Sequence, residues 1–363
     1  MQRLRWPIVQ PARVFVGVTL ISLASLAACA SSSRGSSSAV ATTAATANTS
    51  AVSDTGPLTV YSGQHLQTVE ALVKGFEAQT GAKVRIRSAG EGDLANQLLQ
   101  EGSAARADVF FAANPPALTV LSAKKLLARV DPSTLAAVPA DVSSAAADWV
   151  GVSARSAALI YNTQLVNEVD LPASVIDLAD PLWKGKLAFA PSETDFQPIV
   201  TAVAKLKGAA AAMDWLKGLK SNATIYNDNE AVTAAVNRGE RAVGLVDHYY
   251  WFRARDEAGG SVPSALHYFS NGDPGALIQI SGVAVLASSK HPALAQAFLA
   301  YLVSTPAQTL IASSNSYEYP LVPGVGANPA LHKFSNLTPS PLTAAELGDG
   351  HAALEMLQQA GLL

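Results

Sequence analysis

The fold class follows from residues 58–87, which read LTVYSGQHLQTVEALVKGFEAQTGAKVRIR. Residues 58–61 and 83–87 are short runs with β-branched residues, which are typical of strands. The segment between them repeats apolar residues at i, i+3, i+4 and i+7, namely Val69, Leu72, Val73 and Phe76. That spacing predicts an amphipathic helix, which Gly81 ends. A strand, a helix and a second strand in this order indicate an α/β protein with a largely parallel sheet.

The same alternation continues to about residue 311. Further strands are predicted at 107–111, 157–161, 186–189, 242–246 and 277–286. Further helices are predicted at 94–100, 199–206, 209–219, 230–238, 292–302 and 306–311, with Asn229 as the N-cap of 230–238. The length allows two lobes, each with its own core. We predict one lobe from 57–155 and 279–330, and the other from 156–278 and 331–363. Strands that cross between the lobes would leave a ligand cleft between them.

The amino-terminal residues predict a lipoprotein signal. Residues 1–28 combine three arginines, no acidic residue and the apolar run 14–26, which is short for a membrane span. The run closes on Leu26-Ala27-Ala28-Cys29, which resembles a bacterial lipobox, and Cys29 is the only cysteine. We expect Cys29 to be lipidated and residues 29–56, rich in Ser, Thr and Ala, to form a disordered tether. An ordinary cleaved signal with an incidental cysteine is the alternative.

Composition excludes several other classes. A single cysteine permits no disulfide within the chain and no cysteine-based metal site. Removing the signal takes three of the 25 basic residues, which leaves 22 against 28 acidic residues and a net charge of −6. No basic patch marks a nucleic-acid surface. Catalytic signatures such as Gly-x-Ser-x-Gly, His-Glu-x-x-His or a P-loop do not occur at the relevant positions, so we expect no enzyme.

The candidate site is the run DHYYWF at 247–252, which follows the predicted strand 242–246. Phenolate oxygens are hard, anionic ligands that suit a hard trivalent cation such as ferric iron. Successive side chains of a strand point to opposite faces, so Tyr249 and Tyr250 serve one site only where the backbone bends. A strand that ends in a loop would provide the bend. Aromatic packing at a strand end, without ligand binding, is the alternative interpretation of the pair.

Seven short runs together resemble the bacterial ferric-ion-binding proteins of ABC importers, which have the type II periplasmic-binding fold and are compared with one transferrin lobe. These runs, in chain order, are VYSGQH (60–65), ADVFF (107–111), LWKGKL (182–187), WLKGL (215–219), DHYYW (247–251), DPGAL (273–277) and EYP (318–320). They span the whole region from residue 58 onward. Each run alone is a weak signal, whereas seven runs in order are specific.

The resemblance implies a binding protein with an Fe³⁺ ligand. It implies Tyr249 and Tyr250 as phenolate ligands and His65 as the imidazole ligand. It further implies a synergistic anion (carbonate, phosphate or citrate) held by Ser192, Thr194, Asn229 and Arg155. The implied partner is an ABC permease in the membrane, reached by a lipid-anchored, extracytoplasmic monomer.

The chain departs from the family pattern at three places. Ala112-Ala113-Asn114 stands where the family carries a glutamate ligand, and Phe196 stands near a third tyrosine of some relatives. Asp247 replaces an expected asparagine. Asp195 or Asp247 is therefore the candidate for an additional carboxylate ligand. A different ligand for the same fold (phosphonate, sulfate, thiamine or a polyamine, without iron) stays open, as does a sensing role instead of transport.

Overall fold

The computed structural model describes residues 56–363. The predicted signal at 1–28, Cys29 and nearly all of the predicted tether at 29–56 lie outside the described residues. The strands are β1 (Leu58–Ser62), β2 (Val84–Ser88), β3 (Val109–Ala112), β4 (Val150–Asn162), β5 (Leu187–Phe189), β6 (Ala223–Ile225), β7 (Val243–Asp247), β8 (Ser264–His267), β9 (Ile278–Val285) and β10 (Tyr319–Pro320). The helices are α1 (Leu66–Thr80), α2 (Glu91–Glu101), α3 (Pro115–Ala123), α4 (Pro132–Leu135), α5 (Phe196–Lys207), α6 (Ala209–Asn222), α7 (Asn229–Asn237), α8 (His248–Glu257), α9 (Pro292–Leu302), α10 (Thr305–Ser313) and α11 (His351–Gln359).

The strands are hydrogen-bonded in the order β2-β1-β3-β9-β4-β7-β5-β6, and β8 and β10 pair with β4. The first lobe is built on β2-β1-β3-β9, and the second lobe on β7-β5-β6. Strand β4 serves both, because Val150–Ser156 pairs with β9 whereas Ala157–Asn162 pairs with β7 and β8. The 13-residue β4 is buried along its whole length. It therefore connects the lobes through the middle of the molecule.

The expectation of a largely parallel sheet is wrong. Strand β1 runs parallel to β2 and β3, and β5 runs parallel to β6 and β7. The described pairs that contain β4 or β9 are antiparallel. Strand β4 runs through both sheets, and β9 lies between β3 and β4 in the first sheet. Crossing strands were predicted from the sequence, but their effect on strand direction was not.

Two hydrophobic cores fill the lobes. The first core includes the apolar face of α1 and the strands β1, β3 and β9. The second core includes β5, the helices α5 and α6, and apolar residues of α11. Helix α1 ends at Gly81, whose φ of 74° is the left-handed conformation that glycine adopts without strain.

Within residues 56–363, no single helix is long and apolar enough to cross a membrane; only α9 and α10 taken together, bent by 54°, have that length and composition. Both bury apolar side chains in the first core.

Candidate metal centre

Helix α8 carries both tyrosines. Strand β7 is buried throughout and ends at Asp247, and α8 begins at the next residue, His248. The expected loop is therefore wrong, because the bend is the start of a helix. Successive helical residues are about 100° apart, which allows both phenols to reach one region. Gly244 allows β7 to pack closely against α7 and β4, since a Cβ there would lie 2.6 Å from Val232 Cγ1 and 3.0 Å from Ile160 Cγ2.

The tyrosines meet a histidine from the first lobe and a carboxylate from the second. His65, the N-cap of α1, places Nε2 at 2.9 Å from the Tyr249 hydroxyl oxygen. The hydroxyls of Tyr249 and Tyr250 donate to Asp195 Oδ2 at 3.2 and 3.3 Å. Around an ion with metal–oxygen bonds of about 2.1 Å, adjacent octahedral donors lie about 3.0 Å apart. Each of these three distances is close to that spacing.

Asp195 and Asp247 have different surroundings. Asp195 precedes α5 and turns Oδ2 toward both phenols. Asp247 accepts from Arg155 Nε through Oδ2 at 3.2 Å and from Gln279 Nε2 through Oδ1 at 2.8 Å. Both oxygens of Asp247 are thus occupied by protein donors. The geometry favours Asp195 over Asp247 as an additional ligand.

Burial shapes the protonation of these groups. The pKa values of Tyr249 and Tyr250 are raised well above 10, first by burial and then by the nearby carboxylate of Asp195. The pKa of His65 is lowered to about 3, mainly by burial and by the charge of Arg253. At neutral pH the imidazole is therefore uncharged, as a metal ligand must be, and the phenols hold their protons unless a cation displaces them.

The residues predicted to hold an anion are only partly brought together. Arg155, on β4, is 1 % exposed, and its Nη1 has no hydrogen-bond partner. Asn229 is 3 % exposed, and its side-chain amide lies beside the Tyr250 hydroxyl, where a hydrogen bond partly offsets the raised pKa of that phenol. Ser192 and Thr194 instead line a separate cavity of about 600 Å³, together with Asn114 and Glu193. Ser192 is exposed there and donates to the carbonyl of Asn227.

The predicted capping role of Asn229 is wrong. The N-cap of α7 is Asp228, whose Oδ1 accepts from the backbone N–H of Ala231 at 2.6 Å. Aspartate and asparagine cap helices about equally well, so the sequence did not distinguish the two neighbours. Because Asn229 is the first residue of the helix and not its cap, its side-chain amide remains available to the tyrosine site.

Three residues near the tyrosines were assigned no role from the sequence. Asn114, at the end of β3, contacts Arg155 and Asp195. Glu91, on α2, accepts from the backbone N–H of Asn114 at 2.8 Å, and burial raises its pKa to about 7. The guanidinium of Arg253 lies 4.8 Å from the centre of the Tyr249 ring. Arg253 follows Tyr249 by four residues, so assigning 248–257 to a helix would have predicted that contact.

Phe196 and Tyr319 contribute no donor to the centre. Phe196 begins α5 and packs against Phe189 and Trp215 in the second core. Tyr319 lies in β10 and donates its hydroxyl to the carbonyl of His332. Within residues 56–363, no group of three or more His, Cys, Asp or Glu side chains is arranged to hold a metal.

A cavity of about 930 Å³ adjoins the centre. His65 and Tyr250 line its inner end, and Glu230, Arg253 and Pro263 are among its other walls. The walls of the cavity include acidic, basic and apolar side chains. It connects the buried donor atoms to a space large enough for a small chelate.

Comparison with known proteins assigns the class. Residues 62–309 match the family described as bacterial extracellular solute-binding protein, and the chain belongs to that family. The chain is 41% identical over 315 residues to the Fe(3+)-binding periplasmic protein of Serratia marcescens, covering 86% of this chain and 93% of the relative. It is 38% identical over 308 residues to the major ferric iron-binding protein of Neisseria meningitidis serogroup A, covering 84% and 93%.

A solved structure agrees with these relatives. Iron-bound HitA from Pseudomonas aeruginosa superposes with a TM-score of 0.82 at 44% identity, covering 84% of this chain and 99% of HitA. The resemblance to ferric-ion-binding proteins and the two-lobed α/β fold are therefore confirmed. The relatives are binding proteins, which also confirms that the chain is of a non-enzymatic class.

Proposed function

We propose that this protein binds ferric iron in the cleft between its lobes and delivers it to an ABC importer. Tyr249 and Tyr250 bind as phenolates, His65 as a neutral imidazole, and Asp195 through Oδ2. One observation carries the proposal: Tyr249 oxygen lies within 2.9 to 3.2 Å of donors from both lobes, His65 Nε2 and Asp195 Oδ2. Two phenolates and a carboxylate offer three negative charges, which match a trivalent cation. The relatives' names, which specify ferric iron, support the same ligand.

Binding releases protons from the phenols. Because both phenol pKa values are raised in the metal-free protein, each phenol is protonated before the ion arrives. The positive charge of the ion lowers these pKa values, and the two protons leave as the ion binds. His65 and the tyrosines come from different lobes, so an ion that contacts both favours the closed arrangement.

A synergistic anion completes the ligand shell. Four protein donors leave about two positions of an octahedral shell, which a bidentate carbonate, phosphate or citrate would fill. The buried donor Arg155 Nη1, which has no hydrogen-bond partner among the described residues, supports an anion at this place. Buried donors without a partner are uncommon because each carries a desolvation penalty of about 1–3 kcal/mol. Ser192 and Thr194 receive less support as anion ligands, since they line the separate cavity.

Delivery requires a location beside the permease. We extend the proposal to lipidation at Cys29, with residues 29–56 as the tether that links the anchor to the binding lobes. The lobes from 57–155 and 279–330, and from 156–278 and 331–363, would then close around the ion as a monomer. Palmitate labelling of the wild type but not of Cys29→Ala would support this extension, and equal labelling would count against it.

The test is a titration of the purified protein with ferric citrate in bicarbonate buffer. Tyrosinate coordination predicts a red-orange charge-transfer band that saturates near one iron per protein. The band should vanish in Tyr249→Phe/Tyr250→Phe and persist in Tyr301→Phe, whose phenol packs against Phe76 away from the centre. No band with any of the three anions would overturn the iron proposal and favour a phosphonate, sulfate or organic ligand.

A further inference from the structure

Asn114 joins the two lobes at a position next to the metal centre. It follows β3 of the first lobe and is 1 % exposed. Its Nδ2 donates to Asp195 Oδ1 at 3.1 Å and lies 3.4 Å from Thr194 Oγ1, and both partners belong to the second lobe. Its Oδ1 accepts from Arg155 Nη2 at 2.8 Å. The amide nitrogen of Asn114 is therefore held by the second lobe, whereas its oxygen is held by Arg155 on the β4 segment that pairs with β9 of the first lobe.

The two carboxylate oxygens of Asp195 have different hydrogen-bond partners. Oδ1 accepts from Asn114 Nδ2 and pairs with Arg155 Nη2 at 3.3 Å. Oδ2 receives only the two phenols of Tyr249 and Tyr250. A carboxylate held at one oxygen by two donors has little freedom to rotate, so the second oxygen stays directed at the phenols.

Asn114 is itself held in place. Its backbone N–H donates to Glu91 Oε2 at 2.8 Å, and Glu91 is 6 % exposed on α2. The chain of contacts thus runs from α2 through Asn114 to Asp195 and reaches the phenol oxygens. A movement of the first lobe away from the second would break the link at the Asn114–Asp195 bond.

We infer that Asn114 is a positioning residue that directs Asp195 Oδ2 at the bound cation and makes this orientation depend on contact between the lobes. This inference rests on the proposed function, since it assumes that a cation binds at the phenols. No hydrogen bond joins Asn114 to a phenol among the described residues. Its side chain bonds to Asp195 and to Arg155, and we assign its effect on the cation to the contact with Asp195, the proposed ligand. Removing one hydrogen bond to a charged group costs about 1.5–3 kcal/mol, equivalent to about 10- to 150-fold in affinity.

The test is a double-mutant cycle on ferric affinity, measured by competition with citrate and read at the charge-transfer band. Asn114→Ala should weaken ferric binding by about tenfold or more. In an Asp195→Ala background the same substitution should change affinity by less than about twofold, because its target is gone. The matched control is Asn96→Ala. Asn96 is an exposed asparagine that lines, with Asn114, the cavity of about 600 Å³, and its substitution should leave ferric affinity unchanged.

The wild type, Asn114→Ala, Asp195→Ala and the double variant are also unfolded thermally without metal. These measurements show whether each variant folds and whether the side chains of Asn114 and Asp195 interact. Asn114→Ser replaces the alanine variant if that variant does not fold. Coupling in ferric affinity as well as in unfolding supports the inference. Coupling in unfolding alone means a purely structural contact and overturns it, as does an equal loss of affinity in both backgrounds. Failure of the unmodified protein to bind ferric iron would overturn the proposed function and this inference with it.

Discussion

The Nε2 atom of His65 lies 2.9 Å from the hydroxyl oxygen of Tyr249, although 184 residues separate them in the chain. His65 occupies the N-cap position of α1 in the first lobe, and Tyr249 lies in the first turn of α8 in the second. Their rings meet edge to face with centroids 5.0 Å apart. The pair therefore defines the closed arrangement of the lobes, and a cation between these atoms would hold it.

We expect His65→Ala to weaken ferric binding without removing the charge-transfer band. The band arises from the phenolates, which the substitution leaves in place, whereas the loss of a ligand reduces affinity. Removing outer partners of metal ligands typically costs 10- to 100-fold, so the loss of a direct ligand should reach at least about tenfold. Citrate competition monitored in the visible range measures both quantities. An unchanged affinity would show that the imidazole does not coordinate.

Asp195→Ala and Asp247→Asn should differ clearly. Asp195 Oδ2 faces both phenols, whereas both oxygens of Asp247 are engaged by Arg155 and Gln279. We expect Asp195→Ala to weaken ferric binding at least about tenfold more than Asp247→Asn does. Parallel titrations of the two variants measure the ratio. Equal losses, or a larger loss in Asp247→Asn, would contradict the assignment of Asp195 as the additional ligand.

Ferric binding should release about two protons per ion near pH 6.5, one from each phenol. The raised pKa values of Tyr249 and Tyr250 keep both protonated in the metal-free protein. The pKa of His65, lowered to about 3, means that the imidazole has no proton to release. Because protons are products of binding, affinity rises with pH and falls as the solution becomes acidic.

Calorimetric titrations in buffers of different ionisation enthalpy measure this proton release, with the chelator's own protons subtracted. Tyr249→Phe and Tyr250→Phe should each reduce the number by about one. A value near zero for the wild type would mean that the phenols do not ionise, and that the aromatic pair is a packing feature.

Glu91→Gln should stabilise the metal-free protein at pH 8. Burial raises the pKa of Glu91 from 4.5 to about 7 in the folded state, so the folded protein binds this proton more tightly than the unfolded chain does. The favourable contribution is present below pH 4.5 and is lost as the pH rises to 7. Glutamine keeps an oxygen for the Asn114 N–H without the buried charge. The gain in unfolding free energy at pH 8 is at most about 3 kcal/mol.

Thermal unfolding at pH 4 and pH 8 tests this expectation. The wild type and Glu91→Gln should differ at pH 8 and converge at pH 4. The exposed Asp93, on the same helix, provides Asp93→Asn as the control, which should show no such difference. A destabilised Glu91→Gln at both pH values would show that the carboxylate is required in its charged form.

Much of the fold was predictable because the lobes are built from local patterns. The apolar spacing of α1 and the helix 292–302 agree with the observed elements, as does the strand that leads to the tyrosines. Strand direction was not predictable in the same way. Strands β4 and β9 run antiparallel to their neighbours. The direction of a strand in a sheet depends on pairing between distant segments, which local sequence patterns do not record.

The candidate site was predictable in part. Tyr249, Tyr250 and His65 were identified from their motifs, and the structure brings them together. The contacts of Asn114 were not predicted because its partners, Arg155 and Asp195, lie 41 and 81 residues away in the chain. Such contacts leave no local pattern in the sequence. The choice between Asp195 and Asp247 was open for the same reason.

The most direct test of the central claim is the structure of the iron-loaded protein, with iron located by its anomalous scattering. We expect one iron about 2.1 Å from the phenol oxygens of Tyr249 and Tyr250, His65 Nε2 and Asp195 Oδ2, with an anion at the remaining positions. Iron bound elsewhere, or bound without both phenol oxygens, would contradict the proposed tyrosinate site.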